Sequence, residues 1–178
     1  ATRTDIITGS DGLELKVQTW YPTPNTHGPF HVYDDIFDAV DVLDRADADC
    51  SEPRPVLAFS HGDTAINYQS IFLTEYLASR GWVIVAPDHR GNTFFEAEEH
   101  RIALALRRPI DIRDTVDWLF DNLGDVEGPL HGCIDPNDGY AVSGHSFGGY
   151  TTLATAGAVV DLAEAQTYCE TQNEWMCG

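Results

Sequence analysis

Three short, unbroken apolar runs, each opening into a polar or glycine-rich loop, constrain the fold of this chain more than any other feature. They are VLAFS at 56–60, WVIVA at 82–86 and YAVSG at 140–144. A strand with one wet face alternates apolar and polar side chains. An unbroken run needs cover on both faces, as in a parallel sheet between helices. The intervening segments can supply that cover. Ile71, Leu73, Tyr76 and Leu77 mark a helical face that Gly81 terminates. Residues 108–123 read as an amphipathic helix through Ile112, Val116, Leu119 and Phe120. FGGYTTLATAGAVV, after the third run, is a helix of small residues suited to close packing on a sheet. Strand and helix alternating in this order predict an α/β fold, a mostly parallel sheet flanked by helices.

Upstream, LELKVQTW at 13–20 alternates and predicts a half-buried antiparallel strand. Residues 21–29 hold three prolines and read as a loop. Asp34, Asp35, Asp38, Asp41, Asp44, Asp47 and Asp49 crowd the next stretch. They lack the glycine and terminal glutamate of a calcium-binding EF-hand loop. Ile36, Val40 and Leu43 fall between them at helical spacing, so a short helix or loop with a solvated face is expected. The 178 residues suit one domain: N-terminal strands and acidic segment at 1–54, a core at 55–160, and a loop at 161–178.

The formal net charge is −19, and Lys16 is the one lysine among ten basic residues. Such a surface repels phosphate backbones and anionic headgroups, which argues against nucleic-acid partners. No apolar run reaches the ~18 residues of a membrane span. The four cysteines, Cys50, Cys133, Cys169 and Cys177, form no Cys-x-x-Cys pattern of zinc or redox type. Three pairings are possible. Cys50 with Cys133 and Cys169 with Cys177 are the expected ones. An even cysteine set and a first residue Ala1 together suggest a mature secreted or periplasmic protein.

The chemistry concentrates at Gly144-His145-Ser146-Phe147-Gly148. The pattern G-x-S-x-G lies between an apolar strand and a helix, where a sharp turn can hold a serine hydroxyl at its tip. Glycines on both sides remove the Cβ atoms that such a turn would crush. The helix that follows directs its N-terminus at the site and favours negative charge there. Ser60-His61-Gly62-Asp63 follows the first apolar run, at the sheet edge where ligands of α/β folds bind. A backbone N–H from that loop, with the N–H of Phe147, is placed to bind a developing oxyanion.

FSHG, then GWVIVAPDHRG, then GHSFGG resembles the α/β-hydrolase superfamily, over about residues 55–160. Within it the chain is most similar to platelet-activating-factor acetylhydrolase-like and dienelactone-hydrolase-like esterases. The resemblance implies Ser146 as nucleophile and the backbone N–H groups of Phe147 and Asp63 as the oxyanion hole. Aspartate at 63 departs from the usual apolar residue, and its carboxylate must point away from the oxyanion. Dienelactone hydrolases use cysteine as nucleophile, so serine favours an esterase or lipase.

In this superfamily an acid and then a histidine follow the serine. None of the seven histidines follows Ser146. His145 adjoins it but leaves the turn in another direction. His61 and His89 are expected to pack or hydrogen-bond locally. Asp161 is not preceded by the further strand that carries a superfamily acid. The acid and base are therefore expected outside this chain. Its sheet is expected to lack C-terminal strands, which leaves the 140–144 strand as an exposed edge. A C-terminal segment, or a second chain made by processing of a precursor, would complete the fold. The expected activity is a serine carboxylic-ester hydrolase acting through an acyl-enzyme on a small-molecule, lipid or polymer ester, with no cofactor or metal implied. An acyltransferase or thioesterase on the same turn, and an inactive hydrolase fold used for binding, are the alternatives. FFEAEEHRIALAL at 94–106 is either a cap or pocket wall, or plain surface helix.

Overall fold

The computed structural model describes residues 1–96, 101–159 and 161–172. Its centre is a five-stranded sheet of β1 (Thr2–Thr8), β2 (Glu14–Trp20), β5 (Val56–Ser60), β6 (Val83–Pro87) and β7 (Ala141–Gly144), in the order β1-β2-β6-β5-β7. β1 pairs antiparallel with β2, and β2 antiparallel with β6; β6, β5 and β7 are parallel. Only β2 runs against the rest, so the expected α/β architecture is present as a mixed sheet.

The unbroken apolar runs behave as two-faced cover requires. Val56, Ala58, Val83 and Val85 enter one core, with Ile112, Val116 and Leu119 from α2 (Arg101–Trp118) and the π-helical turn that continues it. Leu57, Phe59, Ile84 and Ala86 point the other way, into a core with Trp20, Tyr33 and Ala78. Alternate residues of one strand thus feed opposite cores, and all of β5 and β6 is buried. The helix expected after β5 is α1 (Ile71–Ser79), and Gly81 behind it has φ +93°, the left-handed conformation that glycine tolerates best. The Cys50–Cys133 disulfide forms as expected and ties the lead-in to β5 to the loop before β7. Cys177 lies outside the described residues, and with it the expected pair Cys169–Cys177.

Two expectations are corrected. The acidic stretch forms no short helix, and only its end, with Asp47 and Asp49, is loop. It contains a hairpin of β3 (Phe30–Tyr33) and β4 (Phe37–Leu43). Asp34 and Asp35 both have positive φ, 50° and 57°, and Ile36 N–H donates to the Tyr33 carbonyl at 3.0 Å. That is the primed turn which matches strand twist, and aspartate is among the few residues that enter it. The apolar spacing that suggested a helix is incidental, since Ile36 and Val40 face solvent while Tyr33, Ala39 and Leu43 are buried. Nor is the C-terminal segment all loop, because α4 occupies Leu162–Gln172. Asp161 accepts from Glu164 N–H at 3.0 Å and caps that helix, as the residue types around a helix start favour.

β7 pairs with β5 alone and ends the sheet among the described residues. It is half-exposed, as an edge strand is. α3 (Phe147–Thr155) packs behind it.

Candidate active site

Ser146 stands between β7 and α3 with φ 53° and ψ −115°. A non-glycine residue rarely adopts that backbone, and holding it there costs about 1–3 kcal/mol. The glycines on either side make the turn possible. A Cβ on Gly144 would lie 2.4 Å from the Gly148 carbonyl oxygen, and one on Gly148 only 1.9 Å from that of Ser60. The turn is locked further by His145 N–H donating to Ser60 O at 3.1 Å and Gly148 N–H donating to His145 O at 2.8 Å. Ser146 itself is exposed. The N–H of Phe147 heads α3, ahead of the helix's internal hydrogen-bond ladder.

The loop after β5 lies beside this turn. Gly62 N–H donates to Gln69 Oε1 at 2.8 Å, and the Gln69 amide nitrogen is 3.0 Å from His145 Nδ1. With its oxygen occupied, that amide donates to His145, so Gln69 clamps the loop to the turn. Gly62 N–H is taken up in this way. The Asp63 carboxylate is held by Asn92, whose Nδ2 donates to Oδ1 at 2.9 Å.

Beneath both segments lies a buried polar cluster. Ser60 Oγ donates to His89 Nε2 at 2.8 Å, and His89 Nδ1 faces Asp111 Oδ2 at 3.1 Å. His61 Nδ1 donates to the Gly62 carbonyl at 2.7 Å, and its Nε2 accepts from His89 N–H at 3.0 Å. Both histidines are fully buried, as expected of local structural roles. Burial penalises the imidazolium form and holds both pKa values well below the usual range, with the nearby Arg108 cation adding to the effect. Burial also raises Asp111 to about 6, against the pull of Arg90, which donates to it at 2.6 Å. Arg108 is pushed down to about 10 by the same cause and stays a cation at neutral pH. Its guanidinium donates to Asn92 Oδ1, to the His61 carbonyl, to Ser60 Oγ at 3.2 Å and to Thr151 Oγ1 at 3.1 Å. It also lies 4.7 Å from the centre of the Phe147 ring.

The turn and the 62–63 loop are thus brought together, whereas His61 and His89 face inward. Asn92, Arg108 and Asp111 escape sequence reasoning. The available signal is that Arg108 and Asp111 fall on the buried stripe of α2 that also carries Leu104, Ile112 and Thr115. A charge on an apolar stripe implies a buried partner. The segment 94–106, expected as a cap or pocket wall or as plain surface helix, falls partly outside the described residues; Phe94 and Phe95 are exposed, and α2 begins at Arg101.

A family model for chlorophyllase matches residues 51–167. The chain belongs to the chlorophyllase family. That places it among the α/β-hydrolases, the superfamily expected from its motifs. A search of curated proteins finds no match. Among solved structures, a ferulic acid esterase from Streptomyces cinnamoneus superposes with a TM-score of 0.70 at 21% identity, over 88% of this chain and 54% of that one. A Mycobacterium tuberculosis puromycin-hydrolyzing peptidase gives 0.57 at 21% identity, over 86% and 20%. A Pyrococcus horikoshii acylaminoacyl peptidase gives 0.54 at 19%, over 85% and 20%. At these identities the likeness speaks for the fold alone. The chain spans about half the length of the ferulic acid esterase. Among the described residues no helix is long and apolar enough to cross a membrane.

Proposed function

We propose that this chlorophyllase-family protein is a serine carboxylic-ester hydrolase with Ser146 as nucleophile. The observation that carries the proposal is the backbone of Ser146, at φ 53° between two glycines that admit no side chain. A strained, exposed serine at the head of a helix is what acyl transfer asks for. Ser146 Oγ attacks the ester carbonyl, and the oxyanion that forms accepts hydrogen bonds from the N–H groups of Phe147 and Asp63. Collapse expels the alcohol and leaves an acyl-enzyme that water hydrolyses. The family name and the ferulic acid esterase both favour esters as the substrate class.

The proton acceptor for Ser146 lies in sequence outside residues 1–178, together with its acid, on a further segment or a second chain. None of the seven histidines follows Ser146. His61 and His89 have their ring nitrogens engaged in the buried cluster, and His145 is turned to Gln69. The open side of β7 is where strands of such a segment would pair. The Cys50–Cys133 disulfide supports an extracytoplasmic setting.

The test is covalent labelling of the full-length protein with a fluorophosphonate. Labelling at Ser146 is expected, with hydrolysis of 4-nitrophenyl esters falling at least 10³-fold in Ser146→Ala. Residues 1–178 alone are expected to show neither. Hydrolysis retained in Ser146→Ala overturns the assignment.

A further inference from the structure

An aspartate is a poor residue to place at an oxyanion hole, because its carboxylate opposes the charge that the site must stabilise. The structure shows how that carboxylate is restrained. Asn92 Nδ2 donates to Asp63 Oδ1 at 2.9 Å. The Asn92 amide has no freedom to flip, since its Oδ1 accepts from Arg108 Nη1 and a reversed amide would bring two donors together. Asn92 and Arg108 are fully buried, so water does not replace the contact between them, while Asp63 is half-buried. The backbone of Asn92 is fixed too, by its N–H donating to the His89 carbonyl at 3.0 Å. Arg108 further donates to the carbonyl of His61, two residues before Asp63, and lies over the ring of Phe147, the other oxyanion residue.

We propose that Asn92 and Arg108 form a positioning relay that turns the Asp63 carboxylate away from the oxyanion and so makes an acidic residue usable at that position. This rests on the reading above, in which the Asp63 N–H serves the oxyanion. Asn92 and Arg108 act through Asp63 and Phe147 and do not touch the reacting atoms.

The relay predicts a dependence that a merely structural role does not. In the full-length protein, Asn92→Leu removes the donor at similar volume. It is expected to lower kcat about 10²-fold with KM within about threefold, because the carboxylate loses the donor that turns it away from the oxyanion. In an Asp63→Leu background the same substitution is expected to lower kcat by less than about threefold, since no carboxylate is left to restrain. Equal losses in the two backgrounds, or no loss in either, overturn the relay. If Asn92→Leu does not fold, Asn92→Ser, too short to reach Asp63, carries the same cycle. The two readings fail separately. An active Ser146→Ala removes the proposed nucleophile. An inactive Ser146→Ala with equal losses in the cycle removes the relay alone.

Discussion

Two serines in this molecule invite comparison. Ser60 has the partners of a catalytic triad: its hydroxyl donates to His89 at 2.8 Å, and His89 faces Asp111 at 3.1 Å. Ser146 has no side-chain hydrogen bond among the described residues. Yet Ser60 is 0% exposed on an extended strand and also accepts from Arg108. An ester carbonyl has no approach to it, and its histidine is held neutral by burial. Ser146 is exposed at a strained turn at the head of a helix. The comparison teaches that a Ser-His-Asp sequence of contacts is an ordinary way to satisfy buried polar groups. Access to the hydroxyl, and donors for an oxyanion, mark the site.

The two serines meet where the turn packs on the end of β5, and crowding that packing has the largest expected effect. A Cβ on Gly148 would sit 1.9 Å from the Ser60 carbonyl oxygen, backbone against backbone. Gly148→Ala forces β5 and the turn apart. It is expected to destabilise the full-length protein by about 3 kcal/mol or more and to lower ester hydrolysis about 10²-fold through misplacement of Ser146. Urea unfolding and 4-nitrophenyl ester kinetics measure both, and wild-type values for either would show that the contact does not constrain the turn.

Acid separates the two regions next. The folded pKa values of His61 and His89 are depressed, so their neutral forms are the native ones. Below about 6.5 the unfolded chain takes up protons that the native chain refuses, and stability falls as pH drops. Asp111, raised to about 6, works the other way between about 4 and 6 and offsets part of the loss. The net expectation is a loss of about 2–3 kcal/mol between pH 7 and pH 5. His89→Gln, which cannot charge, should lose about half of the histidine contribution. An unfolding midpoint equal or higher at pH 5 would remove the account of the buried cluster.

The sheet was largely legible because burial on two faces leaves an unmistakable trace, unbroken apolar runs such as 56–60 and 82–86. The turn at Ser146 was legible because its geometry demands glycine at fixed positions. The hairpin at 30–43 was not, since its turn uses Asp34-Asp35 instead of a glycine pair, and Ile36, Val40 and Leu43 mimic helical spacing by accident. The Asp63–Asn92–Arg108 relay joins three segments far apart in sequence, and no local pattern encodes a contact made only by the closed fold. Only the oddity of an aspartate at 63 pointed to it.

The smallest expected effect is the sharpest discriminator between the serines. Ser60→Ala removes a buried hydroxyl that donates to His89 and accepts from Arg108. Arg108 Nη2 keeps the His61 carbonyl as acceptor, while His89 Nε2 loses its donor. One buried polar atom left unsatisfied costs about 1–3 kcal/mol. For a chain of this size that lowers Tm by a few degrees, at about 2–4 °C per kcal/mol. If the buried cluster is structural, the loss stops there. Fluorophosphonate labelling should be retained, and kcat for a 4-nitrophenyl ester should stay within about threefold of wild type, because Ser60 touches no reacting atom. A Ser60→Ala variant that melts normally but neither labels nor hydrolyses, beside an active Ser146→Ala, would reverse the roles assigned to the two serines.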